Sequence, residues 1–162
     1  MKNIFIAVVL VSFLLSCKKA SVPGSKTTLT AAIDGANYSA TQQKNFTRIR
    51  LPNDSTEFFT LNGLDGAGNY MEIGLESIHN LTTKTYTQTA DSTVLVDIYF
   101  QGVSSANVFW AVYSSTNPSS ITITHIDSVS IAGTFAGTIY DNGDSTTDSK
   151  TVTNGTFLLS SQ

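Results

Sequence analysis

Residues 94–101 set the first limit on what this chain can fold into. Val94, Val96, Ile98 and Phe100 alternate with Leu95, Asp97, Tyr99 and Gln101. That period of two suits a strand with one buried face and no helix. The pattern recurs. Met71, Ile73 and Leu75 alternate with Glu72, Gly74 and Glu76, and Ile121 and Ile123 alternate with Thr122 and Thr124. Val108, Trp110 and Val112 continue it with Phe109 and Tyr113 opposite, which assigns Trp110 to the core side. No window after residue 20 carries a helical apolar repeat. Composition agrees, since 43 of the 162 residues are Ser or Thr, only 21 are charged and three are Pro. Many Thr and Tyr with few Lys and Glu favour pleated sheet.

Turn chemistry divides these strands. Asp34-Gly35 and Asp141-Asn142-Gly143 are hairpin signals, Pro52-Asn53-Asp54-Ser55 is a loop, and Leu64-Asp65-Gly66-Ala67-Gly68 is a glycine turn. Extended segments are expected at Thr27–Ile33, Asn37–Thr41, Phe46–Leu51, Glu57–Leu61, Ile131–Tyr140 and Val152–Leu159. Gly133 and Gly137, inside one such run, read as bulges or bends. With no helix to make parallel crossovers, the expected class is all-β. An antiparallel meander of about 9–11 strands would form a sandwich or an open barrel. Residues 27–162 are read as a single domain of ordinary size, large enough to bury a core.

Residues 1–16 read as an address. Lys2 supplies a positive start, and Ile4–Leu15 is uncharged and broken only by Ser12. Twelve helical residues reach about 18 Å, short of the roughly 30 Å hydrocarbon core, so an export signal fits better than a span. The run ends at Leu14-Leu15-Ser16-Cys17, which resembles a bacterial lipobox. The likeness implies cleavage between Ser16 and Cys17 and attachment of lipid to Cys17; the competing reading is an ordinary secretory signal. Cys17 is the only cysteine, so no disulfide competes for it. Two or three acyl chains, at about 0.8 kcal/mol per buried CH2, would make the membrane a near-permanent partner. Residues 17–26, with Lys18, Lys19 and Pro23-Gly24, read as a tether. No acidic cluster follows the cysteine, which favours a periplasm-facing site on the outer membrane over the cell surface.

The segment Ser120-Ile121-Thr122-Ile123-Thr124-His125-Ile126-Asp127 leads to Gly133-Thr134-Phe135, and the chain closes on Asn154-Gly155-Thr156-Phe157. Ile33-Asp34-Gly35-Ala36-Asn37-Tyr38 forms an opening strand and turn. Together these resemble the small Bacteroidota lipoproteins grouped as a domain of unknown function, with their "ITxxD", "GTF" and "NGxF" endings. The resemblance covers residues 27–41 and 118–159 and implies an all-β envelope lipoprotein. It brings no activity and no site residues.

Candidates for chemistry are few. An acidic chain, net charge −3, without a basic run argues against nucleic acid. His79 and His125 are the only histidines, read as a turn residue and a strand-end residue; no metal or other cofactor is expected. No G-x-S-x-G elbow accompanies the many serines. Asp141, Asn142, Asp144 and Asp148 read as a hairpin rather than a calcium loop, and Glu72 and Glu76 as a solvated sheet face rather than an acid–base pair. Of the aromatics, Tyr99 and Tyr113 alternate onto the polar face and are the candidates for a sugar- or lipid-binding surface. Asp-Ser-[Thr/Val] recurs at Ser55, Ser92, Ser128 and Ser145. These tripeptides are similar to acceptor sequences for O-glycosylation in exported Bacteroidota proteins, and equally to plain turn chemistry.

The expectation is therefore a lipid-anchored cell-envelope protein that binds a partner or builds structure rather than catalyses. An envelope protein or a glycan would be the partner. The alternatives are a carrier holding a lipid or glycan inside a β-barrel and, further off, a hydrolase.

Overall fold

A computed structural model describes residues 27–51, 55–88, 93–104, 107–112 and 118–160. Eleven antiparallel strands form one strongly curled sheet, an open half-barrel. They are β1 (Thr28–Ile33), β2 (Ala36–Ser39), β3 (Gln42–Arg50), β4 (Glu57–Leu64), β5 (Tyr70–Ser77) and β6 (Thr85–Thr87). β7 (Val94–Gln101), β8 (Val108–Ala111), β9 (Ser120–Ile126), β10 (Ser130–Asp141) and β11 (Ser149–Ser160) complete the set. The order across the sheet is β2-β1-β11-β10-β8-β7-β5-β4-β3. β10 forks: residues 131–136 pair with β9, which carries β6, and residues 139–141 pair with β8.

The alternation read from the sequence becomes the two faces of the sheet. Met71, Ile73, Leu75, Val96, Ile98 and Phe100 point inward and are buried, as are Ile121, Ile123, Ile131 and Leu159. Each such side chain stabilises the fold by roughly 1.5–3 kcal/mol. Aromatic rings meet across the interior. The Phe59 ring on β4 meets Phe157 on β11 with centroids 5.5 Å apart, and Tyr38 meets Phe100 edge-on at 6.4 Å. The Tyr38 hydroxyl, inside this apolar space, donates to the Gly63 carbonyl at 2.6 Å, which satisfies it. Gly133 and Gly137 do sit at register shifts of β10, against β9 and β11 respectively.

Trp110 departs from the expectation. β8 pairs with β7 so that Phe109 faces Phe100 and Trp110 faces Tyr99. Phe109 and Ala111 are therefore the buried pair, and Trp110 lies half-buried on the outer face. Either phase of this short apolar run would satisfy an alternation rule, so the pairing partner decides it. The Gly143 backbone, at φ +68°, lies directly against the indole.

The sheet edges β2 and β3 are joined through Ala40-Thr41 and approach each other without a ladder. Single bonds hold the seam: the Thr41 N–H donates to Leu64 O at 2.8 Å and Lys44 Nζ to Thr27 O at 2.8 Å. At one end of the barrel, the proximal end, lie the β3–β4 and β9–β10 turns and the ends of β5 and β11; the start of β1 lies across the seam from the far end of β4, where Leu29 O accepts the Ala40 N–H. The β1–β2, β4–β5, β7–β8 and β10–β11 turns form the distal end.

Candidate functional site

The register assembles the outer face of β4, β5, β7 and β8 in rows. One row runs Asn62, Glu72, Tyr99 and Trp110, because Asn62 pairs with Glu72, Glu72 with Tyr99, and Tyr99 with Trp110. The next row toward the distal end holds Leu64, Tyr70, Gln101 and Val108, and the row on the other side holds Thr60, Gly74 and Asp97. Gly74 has no side chain, and its neighbours close over it: a Cβ there would lie 3.3 Å from Asp97 Cβ and 3.6 Å from Thr60 Cγ2. A groove of about 590 Å³ follows, lined chiefly by Leu64, Tyr70, Glu72, Asp97, Tyr99 and Val103.

Its polar groups are fixed by one another. Glu72 Oε2 accepts from the Tyr70 hydroxyl at 2.5 Å and from Asn62 Nδ2 at 3.2 Å. Burial and then that carboxylate push the Tyr70 phenol well above its ordinary value. The Tyr70 and Tyr99 rings stand nearly perpendicular, at 78° with centroids 5.6 Å apart, and the Tyr99 hydroxyl donates to Gln101 Oε1 at 3.3 Å. Asp97 is pushed up to about 6, first by desolvation in the groove and then by the Glu72 charge. Among the described residues, no lysine or arginine lines the groove.

The distal rim is ordered by a single carboxylate. Asp65 Oδ1 accepts the N–H groups of Ala67 and Asn69 at 2.8 and 2.9 Å, and its Oδ2 accepts Asn69 Nδ2 at 2.7 Å. Asn69 Oδ1 then accepts the Val103 N–H at 3.0 Å, which ties the β4–β5 turn to the β7–β8 turn. Two loops at the groove mouth are thereby held as one.

Tyr99 is thus inside the groove. Its companion Tyr113 lies outside the described residues, as do Ser16, Cys17 and Ser92. Ser55, Ser128 and Ser145 are exposed beside turns. Tyr70 and Asp97 were not singled out by the sequence. The readable signal was faint: Asp97 sits in the polar phase of β7, but only pairing sets it diagonal to Glu72. Glu76 shares the outer face one row beyond Gly74 and stays exposed.

Elsewhere the polar clusters serve turns. His125 Nε2 lies 2.9 Å from Asp127 Oδ2 and 3.0 Å from Ser130 Oγ. A nucleophilic triad needs the carboxylate and the hydroxyl on opposite ring nitrogens, so both on Nε2 do not make one. Asp144 Oδ1 accepts the Thr146 N–H and hydroxyl at 2.9 and 2.7 Å within the β10–β11 hairpin, and Asp141 Oδ2 accepts Asn107 Nδ2 at 3.0 Å, which ties that hairpin to the start of β8. Among the described residues no group of three or more His, Cys, Asp or Glu side chains is placed to hold a metal ion.

No family profile, curated protein or solved structure matches this chain.

Taken chemically, the groove offers a flat ring face, a crossed second ring, two carboxylates and the Gln101 amide within one concavity. Such walls stack a planar or puckered ring and exchange hydrogen bonds with its hydroxyls.

Proposed function

We propose that the chain is a lipid-anchored envelope protein whose β domain binds a glycan along the outer face of β4, β5, β7 and β8. Cys17 is its attachment point, the outer membrane its location, and the periplasm the compartment it faces. The resemblance to small Bacteroidota lipoproteins belongs to the same reading, and Ser55, Ser92, Ser128 and Ser145 are its candidate O-glycosylation sites.

The observation that carries the binding reading is the convergence of Tyr70 and Tyr99 with Glu72, Asp97 and Gln101 on one groove. Stacking supplies affinity on the ring faces, and the carboxylates and the Gln101 amide select for hydroxyl geometry. A ligand on the outer wall suits this domain better than one enclosed within it, because buried inward-pointing rings such as Phe59 and Phe157 pack against each other across the interior. Hydrolysis draws no support from His125, given its contacts.

Two experiments test this reading. Replacing Cys17 by Ser should release the protein from membrane pellets, and unchanged fractionation would refute lipidation. For binding, the mature chain is applied to arrays of envelope polysaccharides and oligosaccharides. Retention that falls about tenfold or more in Tyr99→Ala is expected, as for an aromatic anchor. Retention of no glycan, or equal retention by the variant, would remove the groove from the account.

A further inference from the structure

The hydrogen-bonding capacity of the groove is lopsided. The Tyr70 hydroxyl and Asn62 Nδ2 both donate to Glu72 Oε2, and the Tyr99 hydroxyl donates to Gln101 Oε1. Each phenol has one proton, so neither tyrosine keeps a donor for a ligand. Among the described side chains that line the groove, only Gln101 Nε2 still offers one. Acceptors remain in excess: Glu72 Oε1 and both oxygens of Asp97 take no hydrogen bond from the described residues.

Charge is lopsided in the same sense. Glu72 pairs with Tyr99 and Gly74 with Asp97, which makes the two carboxylates diagonal neighbours on adjoining strands. They repel one another, and burial together with the Glu72 charge raises the Asp97 carboxyl. The ion pairs of the described residues, Arg48 with Glu57, His125 with Asp127 and Lys150 with Asp34, all lie outside the groove. Lys44, on β3, turns its ammonium across the seam to the Thr27 carbonyl at 2.8 Å. Two carboxylates without a counter-charge in one concavity attract cations and exclude anions.

The walls fit the same ligand. Tyr70 and Tyr99, crossed at 78°, supply aromatic faces that attract an ammonium and stack against the body of a sugar ring. An ammonium brings three donors and a positive charge to a site rich in acceptors and negative charge. A neutral hydroxyl brings a single donor and leaves the carboxylate repulsion in place.

We propose that the groove selects a cationic glycan, an amino sugar with its amine free, whose ammonium is received between Glu72 and Asp97 beside the rings of Tyr70 and Tyr99. The inference rests on the glycan reading of this groove and narrows its ligand class. N-acetylation removes the charge and a uronic acid reverses it, so the groove discriminates against both.

The test measures binding of a glucosamine tetramer and of its fully N-acetylated counterpart to the mature chain at pH 6.5, where Asp97 and the sugar amines are both charged in large part. The free-amine form should bind about tenfold more tightly, and raised salt should narrow the difference. Asp97→Asn should bring the ratio of the two affinities toward one, with thermal scans to show that the variant folds. Equal binding of both forms, lost together in Tyr99→Ala, overturns the charge selection and leaves the glycan reading standing. A free-amine preference that Asp97→Asn and Tyr99→Ala both leave intact is plain attraction to an acidic chain, and overturns the selection and the groove together. Spermidine, a chain of amines without a ring, should displace the glucosamine tetramer at least tenfold less well; equal displacement overturns the glycan reading and the inference with it. Binding of neither tetramer overturns the inference, and the glycan reading is then decided by the arrays alone.

Discussion

The guanidinium of Arg48 closes on the buried carboxylate of Glu57, with Nη2 at 2.6 Å and Nε at 2.7 Å from Oε1. Glu57 Oε2 accepts the Leu81 N–H at 2.9 Å, and Arg48 Nη1 reaches the Asp127 carbonyl. One side-chain pair therefore joins β3, β4, the segment after β5 and the β9–β10 turn. The two ends of the pair differ in exposure: the Glu57 side chain is 2% exposed and that of Arg48 25%. Removing Arg48 strands a carboxylate that water cannot reach, whereas removing the Glu57 charge leaves a cation that can turn outward.

Arg48→Met should therefore cost about 3 kcal/mol or more, near the range for breaking a buried pair, and Glu57→Gln distinctly less. Urea unfolding of the two variants measures both. A larger loss in Glu57→Gln would show that the hydrogen bond to Leu81, not the ion pair, is the stabilising contact.

Asp97 makes stability fall as pH rises. Its carboxyl moves from 3.8 to about 6 on folding, so below roughly pH 4 both states are protonated and nothing is lost. Between those values the unfolded chain ionises first, and above about 6 the full cost of an ionised Asp97 beside Glu72 is present. Asp97 keeps an open side to solvent, which tempers the cost. Asp97→Asn should raise Tm at pH 8 and leave it unchanged at pH 3.5; a constant offset at both would point to a packing effect instead.

Asp127 has the opposite slope. Hydrogen bonds from the Val129 and Ser130 N–H groups, at 2.8 and 2.7 Å, hold its carboxyl down at about 2. Its contribution is complete above the ordinary value of 3.8 and disappears as pH drops through 2. Asp127→Ala should lower Tm at pH 7 and converge with the parent chain near pH 1.5. Thermal scans at the two pH values decide it, and equal losses at both would remove the carboxylate from the explanation.

Gly143 and Gly66 form a matched contrast. A Cβ at Gly143 would enter the Trp110 indole in a left-handed backbone, while one at Gly66 meets nothing within 4 Å. Gly143→Ala should destabilise by more than about 1 kcal/mol and shift the emission of Trp110, the single tryptophan. Gly66→Ala should be neutral or slightly stabilising. An unmoved spectrum in Gly143→Ala would mean that the β10–β11 turn and the indole yield independently.

Local rules carried the sequence reading as far as strand and turn. The alternation of Val94–Gln101 and the Asp34-Gly35 turn are visible because each depends on residues adjacent in the chain. β6 escaped because three residues in the run Thr82–Thr87 offer no period to detect. Trp110 was misphased because its face depends on Tyr99, eleven residues earlier and on another strand. The site failed to show for the same reason: Glu72 and Asp97 are neighbours only in the paired sheet.

The pairing of β1 with β11, Thr28 against Leu158, governs the order in which this protein can acquire its shape. A chain made amino end first displays β1 long before β11 exists. Until then β1 has only the short β2 to pair with, and Leu29, Ala31 and Ile33 have no opposing wall. Closure across more than a hundred residues is entropically late and slow. The unfinished sheet, with open strand edges and apolar side chains uncovered, is an aggregation hazard during that interval. Completion must therefore wait for the final twelve-residue strand, and escort by a holding chaperone would matter most in the interval before it arrives.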